Sequence, residues 1–250
     1  MGIAVVIIAY NEEKHIRKAV ESAQKVTDEI IIIDSYSKDK TVEIAKKCGA
    51  KVFFRTWDDD FSAQRNFASD KTSAEWLLHI DADERITDTL ADNIKQAVVS
   101  GQKKVYAFKR KNIVFGQKFG FGVFKPDKVK RFFPRLQGRW EGSVHEGIKS
   151  DLTVATLPGE LIHYPYDSWE QYFNKFNQYT TIWAQSAYER GKKTSLFAAL
   201  LRATAAFAKM FIINLSFLDG LLGIVLTCHH FSYTLAKYTK LYNLQRTKSS

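Results

Sequence analysis

Cysteine is scarce in this chain of 250 residues: only Cys48 and Cys228 are present. Two isolated thiols supply neither a disulfide framework nor metal-ligand spacing, which fits a reducing compartment and inert thiols. The chain start is not expected to be a secretory leader. The opening run Gly2–Ala9 is apolar but has no basic residues before it, and Asn11-Glu12-Glu13 interrupts it at once, so it reads as a strand. There is no internal repeat, no low-complexity linker and no recognised nucleic-acid module, so nucleic acid is not an expected partner. Nor does a glycine-rich phosphate loop follow the first strand, where Tyr10-Asn11-Glu12 stands instead.

Hydrophobic residues make up 45% of the chain and charged residues 26%, ordinary values for a globular protein long enough to bury a full core. The net charge of +10 is uneven. Residues 1–100 carry 14 Lys/Arg against 18 Asp/Glu, residues 101–150 carry 13 against 3, and residues 151–250 carry 10 against 6. The basic excess of the middle segment is either a solvated face or a surface for an anionic partner such as acidic lipid or a phosphorylated glycolipid.

The first hundred residues alternate between short apolar runs and helical patterns. Strands are expected at Ile3–Ala9, Glu29–Ile33, Lys51–Arg55 and Trp76–Ile80, with helices at Glu12–Lys25, Thr41–Lys47, Ala63–Asp70 and Thr87–Val99. This is the pattern of an α/β fold, a mostly parallel sheet with helices on both faces. Ligands of such sheets bind beyond the carboxyl ends of the strands. Asn11, Asp34 and Asp81–Asp83 all fall there. Val105–Val114 and Val129–Leu136 are strand-like and basic, and Gly116, Gly120 and Gly122 between them suggest a mobile loop. Trp169–Tyr188 reads as an aromatic-rich helix.

The strongest chemical signal is Leu77-Leu78-His79-Ile80-Asp81-Ala82-Asp83-Glu84, an apolar strand ending in two carboxylates one residue apart. Such a pair suits a hard divalent cation that keeps open positions for phosphate oxygens. Asp58-Asp59-Asp60 is a second match without the apolar strand. Asn11 and the acids after it also suit a simple helix start. Asp34 ends a run of isoleucines, where a carboxylate needs a donor: a nucleotide base or ribose, or its own Asx turn. Arg65, in Gln64-Arg65-Asn66, has the fork geometry for a pyrophosphate, or is a surface cation. His145 and Glu146 are candidates for a metal ligand and a general base.

These segments, taken in order, carry a resemblance. Ala9-Tyr10-Asn11-Glu12-Glu13, Asp34-Ser35-x-Ser37-x-Asp39-x-Thr41, Gln64-Arg65-Asn66, Asp81-Ala82-Asp83-Glu84 and Trp140-x-Gly142-x-Val144-His145-Glu146 resemble the ordered motifs of family 2 glycosyltransferases. The chain further resembles the bacterial β-glucosyltransferases of the lipopolysaccharide inner core. The resemblance implies a GT-A fold over residues 1–165, divided into a nucleotide-sugar half (1–100) and an acceptor half (101–165). It implies inverting transfer of one sugar, glucose from UDP-glucose, to a lipid-linked saccharide such as inner-core heptose. Polyprenyl phosphate, capsule or protein acceptors, and a sugar nucleotidyltransferase, are the alternatives. Ala9, Tyr10, Asn11, Glu12, Asp34, Gln64, Arg65, Asp81 and Ala82 would hold the nucleotide-sugar, with Arg65 on the phosphates and Asp34 on the base. Asp83 and His145 would bind Mn²⁺ or Mg²⁺, and Glu146, or failing it Glu141, would be the base. No Gln-x-x-Arg-Trp motif of the processive members is present, which fits a single transfer.

Residues 166–250 are expected to form a helical, membrane-associating region. Between Lys209 and Lys237 the only acidic or basic side chain, histidine aside, is Asp219. Phe211–Leu226 is apolar but interrupted by Asn214, Asp219, Gly220 and Gly223. Helices lying in an anionic membrane interface therefore fit better than a crossing. This points to a peripheral location on the cytoplasmic face of the bacterial inner membrane. The alternative is a helical pair buried on the protein or in a homo-oligomer.

Overall fold

The computed structural model describes residues 2–142 and 146–247. Its chain forms two compact units, Met1–Arg110 with Asp127–His163, and Lys111–Pro126 with Tyr164–Ser250.

The first unit is built on β1 (Ile3–Ala9), buried along nearly its whole length. It pairs in parallel with β2 (Ile30–Asp34) on one side and β4 (Trp76–Asp81) on the other, and β3 (Lys51–Phe54) extends the sheet beyond β2. Strands apolar on both faces need cover on both faces. Alternate residues accordingly enter two cores. Val5, Ile7 and Ile32 pack with Ile16, Val20 and Leu90, whereas Ala4, Val6 and Ile31 pack with Ala68, Phe133 and Trp140. The covering helices are α1 (Ile16–Gln24), α2 (Thr41–Lys47), α3 (Phe61–Ser69) and α4 (Asp88–Val99).

Beyond β4 the sheet turns antiparallel. Its order is β3-β2-β1-β4-β8-β6-β11-β5, with β5 at Glu84–Ile86, β6 at Val105–Val114, β8 at Asp127–Pro134 and β11 at Val154–His163. Short β7 (Gln117–Lys118) pairs with β6, and β9 (Arg139–Glu141) with β10 (Gly147–Lys149) makes a separate ribbon. β11 crosses the start of α4 at Gly159. Its φ of +99° and the lack of a side chain are both required, since a Cβ there would lie 2.5 Å from the Leu90 nitrogen. The Thr87 hydroxyl ties the crossing by donating to the Glu160 carbonyl at 2.8 Å.

The second unit contains α5 (Trp169–Glu189), α6 (Leu196–Ala208) and α7 (Gly220–Thr247). Residues 111–126, grouped by sequence with the acceptor half, belong to this unit. Val114 and Phe119 are buried with Tyr172 and Leu226. The glycine-rich stretch expected to be mobile is folded: the Asp219 carboxylate accepts the backbone N–H groups of Gly120 and Phe121, both at 2.9 Å. Those two bonds satisfy the acid that interrupts the apolar tail. Phe211–Leu226 is not one helical stretch. A π-turn (Lys209–Ile213) and a 3₁₀ turn (Ser216–Asp219) flank Leu215, which is left-handed at φ +52°.

Candidate active site

Register aligns the polar residues of the first unit at one edge of the sheet. Ala9 lies beside Asp34 across β1 and β2, and Ile8 beside Asp81 across β1 and β4. The loops that follow β1 and β2 are bound to each other. Asn11 donates its N–H to the Ser37 hydroxyl (2.8 Å) and accepts from the Lys38 N–H on Oδ1 (2.8 Å), while the Glu12 N–H donates to Thr41 Oγ1 (2.7 Å). Asn11 therefore does not cap α1, which starts only at Ile16. Its left-handed backbone, φ +55°, turns it toward the neighbouring loop. Tyr10 remains exposed, and Tyr36 is an exposed ring stacked on Phe54 at 5.4 Å.

Asp34 is fully buried and satisfied locally, taking the Ser37 N–H (2.7 Å) and hydroxyl (2.6 Å). This is the Asx-type turn that the sequence allowed. A carboxylate keeps further lone pairs after two bonds, so acceptor capacity remains. Gln64 spans the same edge, donating to the Thr56 and Arg55 carbonyls (3.1 and 3.3 Å).

Arg65 departs from its sequence reading. It is neither a surface cation nor aimed at an open phosphate site. Its side chain is 2% exposed and donates to Asp81 (2.7 Å) and to both oxygens of Glu146 (3.0–3.2 Å), with its guanidinium 4.7 Å from the Trp140 ring centre. Asp81 departs likewise. One oxygen takes Arg65 and the other takes Arg131 (2.8 Å), so any ribose or metal would share this carboxylate with two guanidinium groups. Burial pushes the Asp81 carboxyl up, but Arg131 and Arg65 outweigh it and hold it well below the usual carboxylate range. Burial opposes the charge on Arg65, and Asp81 and Glu146 more than restore it. Glu84, fully buried, accepts from the Asp81 N–H (2.9 Å) and from Arg110 (3.2 Å), which forks on to Asp127. The result is a lattice of alternating charges under the sheet edge. His79, sealed between Phe133 and Trp140, is kept neutral by burial, Arg65 and Arg131.

Asp83 stands apart from this lattice. Its Oδ1 is buried and accepts no hydrogen bond among the described residues, and its Oδ2 is 3.4 Å from His163 Nε2. No three His, Cys, Asp or Glu side chains among the described residues form a complete metal cage. Expected ligand His145 lies outside the described residues. Glu141, the alternative base, is exposed and paired with Lys149 at 3.1 Å. The other acidic triplet is structural: Asp58 pairs with Arg55, and Asp60 caps α3 through the Ala63 N–H.

Sequence reasoning missed Arg131, Arg110 and His163. Nothing in the basic run 128–131 distinguishes the one arginine that β8 turns inward. His163 does carry a signal, a polar residue closing the strand Val154–His163, and antiparallel pairing sets it opposite Glu84.

Three comparisons bear on this arrangement. The model of Glycosyl transferase family 2 matches residues 4–146. A protein named as an uncharacterized glycosyltransferase of Rickettsia typhi is 31% identical over 244 residues, covering 89% of this chain and 80% of its own length. The lipopolysaccharide core biosynthesis glycosyltransferase LpsC of Rhizobium meliloti is 25% identical over 258 residues, covering 100% and 95%. Among solved structures, S. aureus TarS 1–349 in complex with UDP-GlcNAc superposes with a TM-score of 0.53 at 14% identity, covering 99% of this chain and 92% of that one. This likeness bears out the GT-A fold. With more than half its length matched by the family model, and its polar edge formed by the motif segments, the chain belongs to glycosyl transferase family 2.

Proposed function

We propose that the protein transfers a single sugar, glucose from UDP-glucose, with inversion, onto a lipid-linked saccharide of the lipopolysaccharide core at the cytoplasmic membrane surface. The observation that carries this reading is the alignment of Asp34 with the Asp81–Asp83 segment at one sheet edge of a family 2 chain. The acceptor class is taken from the name of the rhizobial relative, which spans the whole chain.

In this reading Asp34, prearranged by Ser37, uses its remaining lone pairs for the uracil imide or ribose. Tyr36 and Tyr10 offer aromatic faces at the same edge. Arg65 acts indirectly, fixing Asp81 and Glu146. Asp83, with His163 beside it, would hold a hard divalent cation, because its buried Oδ1 accepts no hydrogen bond among the described residues and such an oxygen suits a hard cation. When bound, such a cation neutralises charge developing on the departing UDP. Glu146 accepts the proton of the acceptor hydroxyl as that oxygen attacks the anomeric carbon. Its side chain is 19% exposed and oriented by Arg65, whereas Glu141 faces solvent beside Lys149.

The test is thermal stabilisation by UDP, with and without Mn²⁺, on the wild type and on Asp34→Ala. A ligand that binds only the folded state raises its melting temperature by mass action. The reading requires a UDP-induced rise that Mn²⁺ enlarges and that Asp34→Ala largely removes. No rise, or a rise unchanged in Asp34→Ala, refutes the nucleotide site.

A further inference from the structure

The second unit contains a helix whose amphipathicity is inverted. α6 buries its small residues, Ala199 and Ala203, both fully, and turns its large ones outward: Phe197 is 70% exposed, Leu201 54% and Leu196 50%. Helices on a water-facing domain do the reverse, burying the large apolar side chains. Small residues inward and large apolar residues outward is how helices pack when the surroundings are hydrocarbon. The pattern continues past the helix. Ile212, Ile213, Phe217, Leu218 and Leu221 are all exposed around the turn that left-handed Leu215 creates. Contiguous apolar surface of this kind marks an interaction site.

Charge identifies what covers it. The apolar stretch 196–221 carries two exposed cations, Arg202 and Lys209, and one acid, Asp219, whose carboxylate is taken up by the Gly120 and Phe121 N–H groups; Arg190, Lys192 and Lys193 lead into it. Two copies meeting through this surface would oppose like charges, whereas an anionic lipid surface neutralises them. Crossing is disfavoured. Leu196–Ile213 has the mean hydropathy of a membrane span, 1.8, but Arg202 and Lys209 fall inside it. A helix lying in the headgroup plane lets both long side chains reach the phosphates while the leucines and phenylalanine sink below.

We propose that Leu196–Leu221 is an in-plane membrane-docking surface for anionic bilayers, with α6 and the Leu215 turn as its inserted elements. This deepens the proposed lipid-linked acceptor and rests on that reading for its purpose, but its evidence is separate. Donor binding in solution tests the one and vesicle flotation the other.

The experiment is flotation of the full chain with vesicles of phosphatidylglycerol in phosphatidylcholine, and of phosphatidylcholine alone, for wild type and for Phe197→Glu/Leu201→Glu. Both positions are exposed, so the circular dichroism spectrum and UDP-induced stabilisation are expected to be unchanged. The expected result is partition into anionic vesicles that falls about tenfold or more in the variant, since two inserted apolar groups are replaced by charge. Binding should also survive raised salt in part, because screening weakens only the charge contribution. Equal flotation of variant and wild type overturns the proposal. So does a wild type that stays unbound and runs as a dimer that the substitutions dissociate, because the surface then belongs to a second copy.

Discussion

Replacing Arg65 with glutamine tests the buried charge lattice. Arg65 is 2% exposed and is the shared donor to Asp81 and Glu146. Glutamine is shorter and neutral. It would leave Asp81 with Arg131 as its guanidinium partner and remove the three Arg65 contacts to Glu146. Removing one partner of a buried ion pair costs about 3–5 kcal/mol, because the remaining charge keeps its desolvation penalty. Asp81 and Glu146 are 27% and 19% exposed, so water offsets part of that penalty and the lower end, about 3 kcal/mol, applies. For a domain near this size the melting temperature should fall by roughly 6–12 °C. Arg65→Lys should also destabilise, since a single ammonium cannot reproduce the fork. The assay is thermal unfolding of ligand-free protein followed by circular dichroism. If Arg65→Gln melts within about 2 °C of wild type yet loses UDP stabilisation, Arg65 is a phosphate ligand and the lattice argument is wrong.

Asp83→Ala should leave the ligand-free melting temperature nearly unchanged but remove the added stabilisation that Mn²⁺ gives with UDP; a retained Mn²⁺ effect would exclude Asp83 as a ligand. Gly159→Ala should destabilise by about 2 kcal/mol or more, because it demands a left-handed alanine and sets a Cβ 2.5 Å from the Leu90 nitrogen; chemical denaturation reads this directly. Asp81, whose folded pKa is lowered, stabilises the fold above its unfolded pKa, and this contribution is lost as the pH falls below about 4. Asp81→Asn should therefore unfold with a shallower acid dependence than wild type, and an identical pH profile would contradict the assignment.

The parallel half of the fold was legible because its strands are apolar on both faces and end in polar residues. Val5, Ile32 and Leu78 required burial, and Asp34 and Asp81 marked where the apolar runs end. The antiparallel half was only partly legible. In β8, Lys128 and Lys130 are exposed while Arg131 is 6% exposed, drawn inward by the carboxylates of Asp81, Glu84 and Glu146 and by the Trp140 ring. Partners fifty residues apart leave no local trace. Motif spacing singled out Arg65 and Asp81 but not their pairing with each other. In the tail, hydropathy found the apolar region but not its orientation. That α6 buries alanines and exposes leucines depends on its neighbours, among them Tyr238 and Leu241 of α7.

Release of UDP is the most direct measure of the proposed metal-assisted sugar transfer from a UDP-sugar. The wild type is incubated with UDP-glucose, Mn²⁺ and delipidated lipopolysaccharide core lacking its inner-core glucose, beside parallel reactions with other UDP-sugars, with excess chelator, and with Asp83→Ala. The account predicts acceptor-dependent UDP release with UDP-glucose that chelator and Asp83→Ala both abolish. Undiminished release in chelator or in Asp83→Ala, or no release with any donor, would contradict it.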